Sequence, residues 1–295
     1  MRIIGKTIII VVSIMAGITA RAQGGADALP FVRTDFGPAL AGTAGAAVAT
    51  TEAGPWGVFR NAAAMAFPGC LQGVAGELRI TDGNAGFSGA GMAKLMNNKL
   101  CMGAGISYLG GDTIGDYRTH NFMLSSGFAY GLTESLSFGV NARFASQSLT
   151  ENVSYKGVSF DFNALAKVAD AMTVTLGLSA LGNKVESASG TSYGQPANVY
   201  AGTEYVIGLD SNKLALDAMG EYYFSGNYGV AVGAAFTYDN MVTARAGYRY
   251  ASEWCVLPSH FAAGLEGRFG GFSINASFAK MPTTYIICAG AGFSF

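Results

Sequence analysis

The chain has 295 residues, of which 50% are hydrophobic and 13% charged, with 42 glycines, and its 18 bases against 19 acids give a formal net charge of −1. Ordinary soluble domains carry about 25% charged residues, so a typical water-soluble fold is excluded, while abundant aromatics and scarce proline exclude disorder. Beyond the N-terminus no apolar run reaches the ~18 residues of a transmembrane helix, and no basic surface recommends a nucleic-acid partner.

At the N-terminus Arg2 and Lys6 precede an apolar stretch from Ile8 to Ile18, and Ala20-Arg21-Ala22 supplies the small-x-small pattern of a cleavage site. Residues 1–22 therefore read as a secretory signal peptide with Gln23 the first mature residue. Its apolar core falls short of the ~20 residues that span a bilayer, and no cysteine follows the cleavage site to take a lipid. Removal takes Arg2, Lys6 and Arg21 and no acid, which leaves 15 bases against 19 acids, a balance of −4.

Residues 23–70 are rich in glycine and alanine, nearly all small from Ala39 to Ala49, and contain Trp56. They lack alternation. A segment of small residues packs closely inside a narrow lumen, so this stretch is expected to be an N-terminal plug.

From residue 71 a single rhythm takes over. Phe272, Ile274, Ala276 and Phe278 alternate with Ser273, Asn275 and Ser277; Val242, Ala244, Ala246, Tyr248 and Tyr250 oppose Thr243, Arg245, Gly247 and Arg249; Val158, Phe160 and Phe162 oppose Ser159, Asp161 and Asn163. Period two is a strand with one apolar and one polar face. Fourteen such segments follow in order, at 73–80, 85–95, 99–108, 119–130, 135–145, 157–168, 172–181, 198–207, 213–224, 228–238, 241–250, 260–269, 272–280 and 284–295. Strands of ~9–11 residues in even number suit a tilted membrane-spanning barrel. The predicted fold is all-β: one 14-stranded antiparallel transmembrane β-barrel over residues 71–295, placed in the cell outer membrane with lipid as its surroundings.

The connections sort by parity. After even-numbered segments they are short, as at Asn97-Asn98, Asp239-Asn240 and Gly270-Gly271; several after odd-numbered ones, at 109–118, 146–156, 182–197 and 251–259, read as longer loops. Short turns on one side and longer loops on the other match periplasmic and extracellular ends. Tyr108, Tyr130, Tyr205, Tyr222, Tyr238, Tyr248, Tyr250, Phe269 and Tyr285 fall near strand ends on the apolar face, where rings can sit at headgroup level. The last segment runs from Tyr285 through Phe293 to Phe295 and resembles the signal by which outer-membrane barrels are recognised by the assembly machinery.

The same parity turns Glu77, Arg79, Arg143, Asp161, Lys167, Glu204, Asp217, Glu221, Arg245, Arg249, Glu266 and Arg268 into the lumen. Equal signs suggest paired side chains that brace the barrel or hold a plug, with ligand contact as the other reading, whereas a charge-selective pore would show a ring of one sign. Small inward residues such as Gly103, Gly105, Gly139, Gly177 and Gly233 leave room inside.

Three stretches carry a resemblance: Leu29-Pro30-Phe31-Val32; Ala41 to Thr50; and Trp56 with Arg60-Asn61 and the following Ala62 to Phe67. They resemble the start of the PorV/PorQ group of Bacteroidetes outer-membrane proteins, which is similar in architecture to the FadL transporters. The match spans about 40 residues. It departs from the group's pattern at Asn61-Ala62-Ala63, where Asn-Pro-Ala is usual, and at Gly42-Thr43-Ala44. The resemblance implies a non-enzymatic component of type IX secretion that meets cargo or secretion-complex subunits through segments 109–118, 182–197 and 251–259. The alternatives are a FadL-like transporter of hydrophobic small molecules and a structural partner in another outer-membrane complex.

Catalysis is not expected. His120 and His260 are the only histidines, and neither lies in a spacing that offers nucleophile, base and orienting acid together. Cys70, Cys101, Cys255 and Cys288 are far apart without a Cys-x-x-Cys, so no metal site is indicated, and Cys101 and Cys288 read as small inward strand residues. No motif calls for a cofactor.

Overall fold

The computed structural model describes residues 27–295 apart from 83, 97–98, 115, 151–152 and 187–189; the expected signal peptide, its cleavage site after Ala22 and the turn residues Asn97-Asn98 lie outside the described residues. Sixteen strands follow one another: β1 (Gly73–Thr81), β2 (Asn84–Leu95), β3 (Leu100–Ile114), β4 (Tyr117–Thr133), β5 (Leu136–Thr150), β6 (Val153–Ala169), β7 (Met172–Gly182), the two-residue β8 (Val185–Glu186) and β9 (Ser192–Tyr193), β10 (Asn198–Leu209), β11 (Asn212–Tyr223), β12 (Tyr228–Tyr238), β13 (Val242–Ala251), β14 (His260–Phe269), β15 (Phe272–Lys280) and β16 (Tyr285–Ser294). All but β8 and β9 form one closed antiparallel barrel of fourteen strands, each paired with its chain neighbour. Closure is made by β1 and β16, from Gly73 opposite Ser294 to Thr81 opposite Ile286.

Closure satisfies every edge, which matters because backbone groups facing hydrocarbon find no water to bond. Along the middle of the strands the outer face is apolar: Phe272 and Ile274 are 65% and 59% exposed, and Val158, Phe160, Phe162, Tyr248 and Tyr250 also point outward. An apolar surface this continuous is unsuited to water and is the kind a bilayer covers. The inner face carries the polar alternates, among them Ser159, Asp161, Asn163, Thr243 and Arg249, all buried.

At one end the strands join by tight turns. Asp239 and Asn240 both take positive φ, 49° and 54°, the left-handed pair of a type I′ hairpin, which Asp and Asn tolerate better than other side chains. At the other end the expectation of open loops at 109–118 and 146–156 is corrected. There β3 and β4 stay paired out to Ile114 opposite Tyr117, and β5 and β6 out to Thr150 opposite Val153. Alternation reports two different solvents on the two faces; above the lipid both faces meet water, so the pattern fades although the backbone ladder continues. Segment 182–197 keeps its loop character but folds back through the β8–β9 hairpin.

The barrel is filled. Residues 27–70 run inside it as short turns: a 3₁₀ turn at Pro30–Arg33, a short helix α1 (Gly37–Gly42), and further 3₁₀ turns at Gly54–Phe59 and Ala62–Ala66. Of these, Val32, Val58, Phe59, Ala62 and Met65 are fully or almost fully buried. The inward glycines are their seats. A methyl at Gly103 would strike Val58, one at Gly105 would strike Phe59, one at Gly139 the backbone of Ala63, and one at Gly233 would crowd Thr43, whereas Gly177 makes room for the ring of Tyr200 on the neighbouring strand.

Candidate functional site

Short 3₁₀ turns leave many of their own N–H and C=O groups unpaired, and buried groups must find partners elsewhere. The strands have already spent their backbone groups on one another, so inward side chains do this work. The Ala62 N–H donates to Asn141 Oδ1 and Asn163 Oδ1, both at 3.2 Å; Ser137 Oγ donates to Ala63 O at 2.7 Å, and Asn141 Nδ2 to Val58 O at 2.6 Å. In return Asn61 Nδ2 donates to Thr175 Oγ1 at 3.1 Å and, within the segment, to Val48 O at 2.8 Å.

Charge is concentrated toward the loop-side ends of β11 and β13. Glu221 on β11 receives Arg33 at 2.6 Å and Arg60 at 2.9 Å from the inner segment, and also Arg249 from β13. Tyr223 Oη adds a fourth hydrogen bond at 2.7 Å. Arg60 lies 5.0 Å from the centre of the Tyr200 ring. Beside this hub Asp161 pairs with Arg143, and accepts hydrogen bonds from Ser179 Oγ and from the Ala180 N–H at a bulge where Ala180 has φ 54°. One carboxylate among three buried guanidiniums is held by mutual need: each partner's removal strands a charge away from water.

The segment is also tied near each mouth of the barrel. At the loop end burial pushes the Asp27 carboxyl up to about 6, opposed by a hydrogen bond from Ser225 at 3.1 Å. At the turn end burial disfavours the Glu52 carboxylate, but Lys213 and Arg268 outweigh it and hold the group below its usual range.

The segment does not fill the barrel evenly. A cavity of about 260 Å³ lies between Leu40, Val48 and Trp56 on the segment and Ala75, Ser273, Asn275 and Gly292 on the wall. Its lining is mostly apolar but includes five charged side chains, Glu52, Arg60, Arg245, Glu266 and Arg268, and it reaches the outward-facing Phe272 and Phe293. An apolar cavity of about 150 Å³ suffices for benzene. A second, larger cavity of about 570 Å³, with eight charged side chains in its lining, opens among the turns that carry Glu134 and Asp170. A third, of about 50 Å³, lies between Asp35, Arg79, His260 and Cys288.

The twelve lumen residues anticipated from parity divide. Glu77–Arg79, Arg143–Asp161, Arg249–Glu221, and Arg245 and Arg268 on Glu266 are ion pairs. Lys167, Glu204 and Asp217 make no ion pair among the described residues and face the 570 Å³ cavity. Trp56 packs 6.1 Å from Phe59, and Arg60 and Asn61 join the networks above. Tyr285 and Phe293 lie on the outer face of β16, and the N–H of Phe295 donates to Gln72 O just past the strand end. All four cysteines are buried free thiols. His120 stacks on Tyr108, and His260 Nδ1 lies 2.8 Å from Pro258 O.

Sequence reasoning missed Arg33, Asp35, Glu52 and Lys213. Lys213 was within reach, since it shares the parity of Asp217 and Glu221. The other three sit in a segment without periodicity, where nothing local announces which side chains turn toward the wall.

No protein-family model matches the chain, and no curated protein is found as a relative. Solved structures do resemble it. The toluene transporter TbuX of Ralstonia pickettii aligns with TM-score 0.64 at 13% identity, over 88% of this chain and 98% of the other. The two share a fold. The toluene transporter TodX of Pseudomonas putida aligns at 0.60 with 16% identity over 93% and 99%, and a FadL homologue of Pseudomonas aeruginosa at 0.59 with 14% identity over 88% and 98%. The barrel is thus FadL-like, which is the coarser part of the resemblance drawn above; nothing in these comparisons points to PorV/PorQ in particular.

Proposed function

We propose that this chain is an outer-membrane barrel that admits small hydrophobic molecules, with residues 27–70 as the plug they pass. The observation that carries this reading is the 260 Å³ cavity between plug and wall, lined mostly by apolar groups together with a small number of charged and polar ones, which is the usual make-up of a small-molecule site. Support comes from the fold it shares with channels described as toluene transporters. The order of the alternatives drawn from sequence is thereby reversed. The lumen ion pairs are assigned to bracing, since they join two strands or tie plug to wall, except Glu77–Arg79 and Arg268–Glu266, which lie within one strand and hold the plug through Gly37 and Asp35 and through Glu52. Tyr285, Phe293 and Phe295 are assigned to recognition by the assembly machinery.

The test is uptake of radiolabelled toluene by Gram-negative cells that lack such a channel, with and without this chain. Faster uptake with the wild-type barrel, lost in Ser273→Trp, which fills the cavity, is the expected result. Equal uptake by cells with the chain, its variant and neither contradicts the reading.

A second reading, cargo handling in type IX secretion, is supported by the resemblance over residues 29–67 and by Trp254, 76% exposed in the loop between β13 and β14. Co-purification separates the two: recovery with cargo or secretion subunits favours the second, whereas a barrel carrying only bound lipid sinks it.

A further inference from the structure

Glu204 on β10 and Asp217 on β11 are directly opposed in the strand register and both point inward. They are 8% and 5% exposed. Like charges directly opposite one another on a sheet destabilise it, and burial makes the repulsion worse because water cannot screen it. Everywhere else in this lumen a carboxylate of the wall has an arginine. Here Lys213 pairs with Glu52 and Arg245 with Glu266, while Lys167, which lines the same cavity from β6, makes no ion pair with either carboxylate among the described residues. Asp217 Oδ1 has no hydrogen-bond partner, and neither has Arg245 Nη1, which lines the same cavity from β13.

That cavity is the 570 Å³ one at the turn end, lined by five acids and three bases, and the Thr50 hydroxyl stands beside Glu204. An opposed pair of carboxylates, an acceptor atom with nothing to accept, and a net negative cavity with room for water all ask for positive charge. The available donors are oxygens alone. Oxygen-only sets of carboxylates and hydroxyls suit hard cations, and a shell with two side-chain carboxylates is completed by water. Arg245 Nη1 would then donate to one of those waters instead of facing the ion.

We propose that Glu204 and Asp217 bind a hydrated divalent cation of the calcium or magnesium class at the short-turn mouth of the barrel. Thr50 and Arg245 border both cavities, but Glu204 and Asp217 line only this one, so the Glu204→Gln/Asp217→Asn variant tests the ion site apart from hydrocarbon passage.

The test uses the full-length barrel purified in detergent and stripped with chelator, titrated with CaCl2 by calorimetry and followed by thermal unfolding. Calcium is expected to bind the wild type and raise its unfolding temperature by about 5 °C or more at saturation. In Glu204→Gln/Asp217→Asn the affinity falls roughly tenfold or more, and the variant unfolds at a higher temperature than wild type in chelator because the repulsion is gone. That inverted pair of shifts distinguishes ligation from a bracing role, in which the variant would be weaker in both buffers. Equal calcium response in wild type and variant overturns the proposal, as does no response to CaCl2 or MgCl2. A response to methylammonium chloride without one to either metal salt overturns the assignment of a divalent ion.

Discussion

The two halves of the barrel wall treat the inner segment differently. From β2 to β5 the wall meets it with glycines and short polar side chains, and Val58, Phe59, Ala62 and Met65 press into the hollows. From β14 through β16 to β1 the wall is equally small-sided; there Gly42 of α1 packs close to Gly264 and Glu77 accepts from the Gly37 N–H, but beside Ala75, Ser273, Asn275 and Gly292 a cavity remains. Small inward residues therefore have two uses in one molecule. Where the opposing segment is bulky they make a seat, and where it is the thin α1 helix, with Leu40 its one large aliphatic side chain, they make a passage.

The largest expected effect comes from unfastening the hub on β11 and β13, which lies between these two regions of the wall. Glu221→Gln leaves Arg33, Arg60 and Arg249 around a neutral amide, and stranding a buried charge costs about 3–5 kcal/mol. The barrel should lose heat-resistant migration on gels at a much lower temperature than wild type. A variant with unchanged unfolding would mean that water already reaches those guanidiniums.

A glycine on the seated side comes next. Gly139→Val must displace the Ala62–Ala63 backbone, and overpacking of this kind costs about 1–3 kcal/mol. On the open side Ser273→Trp enters existing space, so it should cost less than ~1 kcal/mol while stopping uptake. Thermal unfolding of the two variants side by side tests the asymmetry; equal losses would erase it.

The smallest effects are the pH responses of the segment's ties near the two mouths of the barrel, Asp27 and Glu52, which have opposite sign. Asp27 has its folded carboxyl raised from 3.8 to about 6. The folded state therefore holds the extra proton between those values, and attachment of this end weakens as pH rises through about 6. Glu52 has its carboxyl lowered, so its tie to Lys213 and Arg268 is present at neutral pH and is lost as pH falls below the ordinary glutamate range of 4.5. Glu52 is 38% exposed, and solvent screening keeps that second effect small. Hydrogen exchange of residues 27–33 between pH 4 and 7 checks the first, with Asp27→Asn expected to flatten the curve.

Strand parity made the barrel legible because lipid and lumen demand opposite side chains from neighbouring residues, and that demand is written at every step of Val242 to Tyr250. It also placed Glu77, Asp161, Arg249 and their fellows on the inner face. What it could not supply was the partner. Glu221 looks like any other inward acid until Arg33 and Arg60 arrive from a segment whose 3₁₀ turns carry no period, and 109–118 reads as a loop because its strands rise where both faces are wet. The apolar cavity was equally hidden, since it depends on which inward glycines the segment touches and which it passes by.

The central claim is that a small hydrophobic molecule occupies the space between plug and wall. Crystals of the purified barrel soaked in bromobenzene, with diffraction recorded at the bromine edge, test it most directly. The account predicts an anomalous peak between Trp56 and Asn275, absent in Ser273→Trp. Bromine found only on the outer face of the barrel, with none in that cavity, would contradict it.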